Sequence, residues 1–224
     1  QDFVIFFLVI ISSFFISLID DIKDLKPIYR LIFFYIIFLV WIYFDPTMQI
    51  QNLKFIVLNF KVELGIFTYF LTPLFILIFL NALNLYDGVN GQTITYIMLF
   101  FLFFFINNVN FILYFLFIPF LILFFFFNIK NRIFLGDTGV TILAVLISFI
   151  VISDYNISNN LFCDEIFLIM MIPGFDMLRV YLTRIIKKKD PFTSDNSHIH
   201  HLMMKKISSK FIFIYQFFLI ILSL

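Results

Sequence analysis

The chain has 224 residues, 63% of them hydrophobic and only 13% charged, with a net charge of +1 and a mean hydropathy of +1.08. Soluble domains carry about 25% charged residues, so this balance excludes a soluble globular enzyme, and the near-neutral charge gives no basis for a nucleic-acid partner. A single cysteine, Cys163, excludes an internal disulfide framework and a cysteine-based metal site.

Apolar runs near the membrane-spanning length of about 20 residues recur along the chain, at about 2–19, 28–44, 64–83, 92–106, 111–128, 139–153, 161–180 and 211–224. Runs this continuous do not alternate as barrel strands do. The expected fold is therefore all-α: a polytopic transmembrane helical bundle of about eight spans, forming one membrane-embedded domain over 1–224. The chain opens at Gln1 and stops inside an apolar run at Leu224, so both ends read as cut. The 38 phenylalanines carry no functional weight; a compositional bias accounts for them.

The first run ends on Asp20-Asp21-Ile22-Lys23-Asp24. Helical spacing puts Asp20 and Asp24 on one face with Asp21 beside them. Acids at the border of a membrane are costly and commonly functional, although a solvated helix end explains them as well. The loop from Asp45 to Lys61 holds no catalytic grouping and reads as a short extracytoplasmic excursion. The segment Asn81-Ala-Leu-Asn84-Leu-Tyr-Asp87-Gly-Val-Asn90-Gly91 is a turn between two spans, richer in side-chain oxygens than a turn requires. Its glycines permit close backbone approach to a ligand.

Phe134-Leu-Gly-Asp137-Thr-Gly139 opens the next span. Asp137 and Thr138 serve either as helix caps or as a hard-metal carboxylate with small neighbours that admit phosphate oxygens. Pro173-Gly174 is expected to loosen its span, and a helix from Asp176 to Lys187 to leave the membrane with Leu178, Leu182, Ile185 and Ile186 on one face. A cytoplasmic loop over 181–210 follows, containing Pro191-Phe192, Asp195, His198, His200 and His201. The histidine spacing fits neither a helical zinc pair nor a finger, whereas donors beside Arg184 suit an anionic, phosphate-bearing ligand.

The loops holding these segments carry 13 of the 15 Lys and Arg residues, and only Lys54 and Lys61 fall in the opposite loops. By the positive-inside rule the polar face is cytoplasmic. Oxygen ligands and phosphate donors gathered on one face imply a bridging divalent cation, Mg²⁺ in the first instance and Mn²⁺ as the alternative.

The order Asp20-Asp21-x-x-Asp24, Asn81-x-x-Asn84-x-x-Asp87-Gly-x-Asn90-Gly, Phe-x-Gly-Asp137-Thr and Pro191-Phe192…Asp195-x-x-His198-x-His200-His201 resembles the polyprenyl-phosphate N-acetylhexosamine-1-phosphate transferases, and the His-x-His-His form resembles their bacterial GlcNAc-1-phosphate branch. Asn90 stands where many bacterial members carry aspartate, which favours binding over catalysis there. The resemblance implies transfer of N-acetylhexosamine-1-phosphate from a UDP-N-acetylhexosamine to undecaprenyl phosphate at a bacterial inner membrane, with UMP released at the start of a cell-envelope polysaccharide. It implies Asp137 as metal ligand with Asn84 as a second, and Asp20, Asp21, Asp24 and Asp87 as catalytic carboxylates. Asn81, Asn90, Arg184, His198, His200 and His201 are the implied substrate-binding residues. Membrane lipid is a partner throughout; a homodimer stays open, as does the identity of the sugar. A strong base is not essential, because a phosphate monoester with a second pKa near about 6 is already mostly ionised at neutral pH. The competing readings are an ion-coupled transporter and an inactive truncated relative. Acids at span ends on one side, rather than at the bilayer midplane, argue against the transporter.

Overall fold

The computed structural model of the protein describes residues 2–106, 111–157, 161–190 and 198–204, with single positions 214 and 218. Eight α-helices and one hairpin follow in order: α1 (Asp2–Lys23), α2 (Pro27–Phe44), β1 (Asn52–Phe55), β2 (Phe60–Glu63), α3 (Thr68–Tyr86), α4 (Gln92–Ile106), α5 (Phe111–Ile129), α6 (Gly136–Ile157), α7 (Cys163–Ile186) and α8 (Ile199–Met204). Among the described residues five helices are long and apolar enough to cross a membrane: Phe3–Lys23, Pro27–Phe44, Gly65–Tyr86, Gly136–Ile157 and Cys163–Ile186. These coincide with five of the eight expected spans. The 92–106 run forms α4, apolar but only 15 residues long. The 111–128 run forms α5, and the final run, 211–224, lies outside the described residues but for two positions. The all-α polytopic expectation holds, and the exception is the hairpin, which the sequence reading took for irregular loop.

Helix α1 stops because Asp24 takes a left-handed conformation, φ +47°, with its amide still bonded to Asp20 O at 2.9 Å. Asp24 therefore lies beyond the helix, which corrects the expected shared face with Asp20. Pro27 then opens α2 at a first-turn position where its missing N–H costs nothing.

The chain divides into two compact units, residues 1–81 with 136–167, and residues 82–135 with 168–224. In the first, α1 packs against α2 and α6. Phe6 stacks on Phe149 at 4.1 Å between ring centres, and the Trp41 ring lies 6.0 Å from Phe6. Phe38, Trp41 and Ile42 are fully buried. Lipid is as apolar as these side chains, so close packing rather than water exclusion holds such a seam together. One polar clasp reinforces it: Ser17 of α1 donates to Thr141 of α6 at 2.8 Å in a buried setting.

In the second unit α4 packs against α5. Tyr96, Phe100, Phe101 and Phe104 form its buried aromatic centre. Helix α7 runs unbroken through Pro173 and Gly174, contrary to the expected loosening. Proline has no N–H for the carbonyl four residues earlier. That carbonyl, Ile169 O, instead accepts from the buried Tyr96 hydroxyl at 3.2 Å. A side chain from a neighbouring helix replaces the missing backbone donor, so the helix has no reason to open.

Candidate active site

Three elements of the first unit build an acidic corner. Asp20 and Asp21 end α1, Arg30 stands in the second turn of α2, and Asp137 and Thr138 begin α6. Arg30 Nη1 donates to Asp20 Oδ2 and to Asp137 Oδ2, each at 2.8 Å. The other oxygen of Asp20 accepts the Leu25 amide at 3.0 Å, and Asp20 is only 7% exposed. Thr138 Oγ1 donates to Asp21 Oδ2 at 2.6 Å. Gly136 makes the entry to α6 possible by adopting φ +65°, a conformation that strains residues with a side chain. Two carboxylates thus share one guanidinium nitrogen, so their oxygens converge on a single place where a positive charge belongs.

Arg30 holds that place, while Asp137, its side chain 43% exposed, has a second carboxylate oxygen of the type a hard divalent ion takes. Among the described residues no three His, Cys, Asp or Glu side chains gather as a closed metal site. Mg²⁺ characteristically takes one or two carboxylates and completes its shell with water and substrate phosphates, so a closed cage is not required.

The second unit carries the amide turn and the histidines. Helix α3 ends at Tyr86, and Asp87, Asn90 and Gly91 follow in the turn before α4. Asn128, buried at the end of α5, pins that turn: its Oδ1 accepts the Gly91 amide at 2.6 Å and its Nδ2 donates to Ile133 O at 2.9 Å. Asn90 Nδ2 donates to Asn131 Oδ1 at 2.6 Å. Asn90 is thus engaged in holding the turn. Asn84, on the last turn of α3, is half-buried and within the same unit. Asn81 is buried on α3 and belongs to the first unit.

Asp176, 2% exposed on α7, organises the histidines. Its Oδ1 accepts from Arg179 at 2.7 Å and from the Ile199 amide at 3.1 Å, and its Oδ2 lies 3.1 Å from His198 Nδ1. One carboxylate therefore orients His198 and caps the start of α8. The rings of His198 and His200 lie parallel at 5.6 Å. His200 fills the space beside Gly88, where a Cβ would overlap its ring. Arg184 is buried on α7, 3% exposed. His201 lies on α8, its side chain outside the described residues, as are Pro191, Phe192 and Asp195.

Gly88 does not occupy the left-handed region, so an alanine there adds a steric conflict without backbone strain. Gly88→Ala is expected to displace His200 and lower turnover by about 10²-fold, the usual cost of a misplacement near 1 Å. Removing the obstructing ring in Gly88→Ala/His200→Ala should add little further loss, measured by the transferase assay described below.

Sequence reasoning missed Arg30, Asn128 and Asp176 as site-building residues. Arg30 was counted only as a topology charge. Asn128 had one readable signal, a lone amide closing a phenylalanine-rich run.

A sequence model of glycosyl transferase family 4 matches residues 3–154, a stretch that includes the acidic corner and the amide turn. The chain belongs to glycosyl transferase family 4. Among curated relatives, the undecaprenyl-phosphate alpha-N-acetylglucosaminyl 1-phosphate transferase of Escherichia coli (strain K12) is 25% identical over 203 residues, covering 85% of this chain and 55% of that protein. The protein of the same name from Salmonella typhi is 24% identical over the same span, and that from Pasteurella multocida 34% identical over 80 residues, 35% of this chain and 22% of that protein. The family 4 chain spans about half the length of the first two. With five helices of membrane-crossing length and apolarity, this family 4 member is an integral membrane protein. The family match ends at Asp154, before Asp176 and the histidines.

Proposed function

We propose that the protein is a phosphoglycosyltransferase that moves N-acetylhexosamine-1-phosphate from a UDP-sugar to undecaprenyl phosphate and releases UMP. The observation that carries this reading is the Arg30-bridged pair of Asp20 and Asp137, which puts carboxylates of the type a divalent ion takes beside a guanidinium of the type a phosphate takes. The similarity to proteins named undecaprenyl-phosphate alpha-N-acetylglucosaminyl 1-phosphate transferase supports the transfer to undecaprenyl phosphate.

Asp137 would hold the metal, which would supply charge neutralisation for the diphosphate and the leaving phosphate. Asp20 and Asp21 orient the lipid phosphate, which needs no strong base because it is already largely ionised. Arg30 keeps the facing carboxylates from repelling one another. Asp87 supports the nucleotide end. Arg184, His198 and His200, with His201, donate hydrogen bonds to the sugar diphosphate; Asn81 and Asn90 shape the binding turn. Asp24 bends the chain between α1 and α2, and its proposed part is to hold that bend. The reaction faces the cytoplasm of a bacterial inner membrane, in keeping with the bias of Lys and Arg.

Membranes containing the protein, incubated with radiolabelled UDP-GlcNAc, undecaprenyl phosphate and Mg²⁺, should yield chloroform-extractable label that EDTA abolishes. Labelled product that forms equally well with EDTA present removes the metal role. Ion-dependent uptake of label into vesicles without lipid product replaces the enzyme by a transporter.

A further inference from the structure

The hairpin between α2 and α3 carries exposed apolar residues at its tip. Its register pairs Asn52 with Glu63, Leu53 with Val62, Lys54 with Lys61 and Phe55 with Phe60. Alternation along each strand therefore puts Asn52, Lys54, Lys61 and Glu63 on one face and Leu53, Phe55, Phe60 and Val62 on the other. Asn52 and Lys54 line a polar cavity of about 250 Å³ with Gln49, Tyr155 and Asn156. On the polar face Asn52 and Lys54 are half-buried, whereas Lys61 and Glu63 are exposed. On the apolar face Leu53 and Phe55 are half-buried, Phe60 and Val62 are exposed, and Phe55 stacks on Phe60 at 4.9 Å. Three of the four tip residues are apolar and exposed, Ile56 at 49%, Val57 at 82% and Leu58 at 67%, and Asn59 closes the turn.

Two anchors fix the hairpin at the ends of membrane spans. The Tyr155 hydroxyl, in the last turn of α6, accepts the Lys54 amide at 2.7 Å and donates to Asn52 O at 2.8 Å. Asp164, in the first turn of α7, accepts the Ile56 amide at 3.1 Å and the Val57 amide at 2.8 Å. These anchors tie the hairpin to the end of α6 and the start of α7, at the end of α6 opposite Asp137.

A two-stranded hairpin with an apolar face bared to water is marginal at best. Backbone at the lipid boundary must have its polar groups satisfied internally. Here the ladder pairs the strands, Asn59 N bonds Ile56 O at 3.1 Å, and the Asp164 carboxylate takes the two tip amides. A water-exposed tip has no need of a carboxylate for that purpose.

We propose that the hairpin tip and its apolar face sit in the membrane leaflet opposite the acidic corner, at the boundary between headgroups and acyl chains. Lipid is the occupant favoured over a second copy of the chain because the surface adjoins exposed apolar side chains at the neighbouring span ends, Tyr43 and Phe44 of α2 and Ile66 and Phe67 before α3. The proposal is independent of the reaction the protein catalyses.

The test uses the chain in phosphatidylethanolamine–phosphatidylglycerol vesicles, with Cys163→Ser and an environment-sensitive fluorophore on Leu58→Cys or on Glu63→Cys. The Leu58 label should lose most of its emission to a nitroxide carried high on the acyl chain and little to aqueous iodide; the Glu63 label should do the reverse. Adding Val57→Asp should abolish the nitroxide quenching at position 58. In the unsubstituted chain a photoactivatable phospholipid should label the peptide over 55–60. Iodide quenching at Leu58 without nitroxide quenching, or an unlabelled 55–60 peptide, overturns the proposal. So does protection from both quenchers with cross-linking between copies, which would assign the face to a second chain.

Discussion

Arg30→Ala is expected to reduce transfer on the order of 10²–10³-fold, because it removes the charge that lets Asp20 and Asp137 face one another. The same change should cost about 2–3 kcal/mol of stability. Asp20 is almost fully buried and is left with one amide donor, while Asp137, whose side chain is 43% exposed, recovers water and suffers less. Neutralising the stranded acid separates the two effects. Arg30→Ala/Asp20→Asn should regain most of the stability and none of the activity, read by thermal denaturation in detergent and by label transfer. Full additivity in that double-mutant cycle would deny the bridge. Arg30→Lys, a point charge without the planar fork, should fall between wild type and alanine.

The second large effect is expected at Asp176. Alanine there deprives Arg179, His198 and the Ile199 amide of one shared acceptor, and so releases the histidine segment from α7. Transfer should fall about 10²-fold, as for other losses of a positioning group. Asn keeps one oxygen that can accept from the Ile199 amide while its Nδ2 faces His198, so Asp176→Asn should retain more activity than alanine. Because Asp176 is proposed to act through His198, Asp176→Ala/His198→Ala should be scarcely worse than His198→Ala. Multiplying losses would show that Asp176 serves the reaction by another route.

These two residues show where sequence reading stopped. Asp20, Asp21 and Asp137 could be singled out because acids at span ends are costly, and the structure joins Asp20 to Asp137 through Arg30 and Asp21 to Thr138 directly. Arg30 itself was hidden: a cation flanking a span looks the same whether it fixes topology or bridges carboxylates. Asp176 stood in a span among apolar residues, yet its partner His198 lies 22 residues on, a separation with no periodic signature. Asp24 was misplaced by assuming that the helix continued, when its left-handed φ ends it. The hairpin was overlooked because four residues per strand give an alternation too brief to distinguish from a polar loop. The spans were readable because about 20 apolar residues in a row leave few alternatives.

The tie between Tyr96 and Ile169 bears on how these two helices can drift in evolution. With alanine at 173, the main chain regains its own donor and the phenol becomes a stranded hydroxyl in an apolar interior. Homologues lacking that imino acid should accordingly favour phenylalanine at 96, and those with phenylalanine at 96 should seldom keep it.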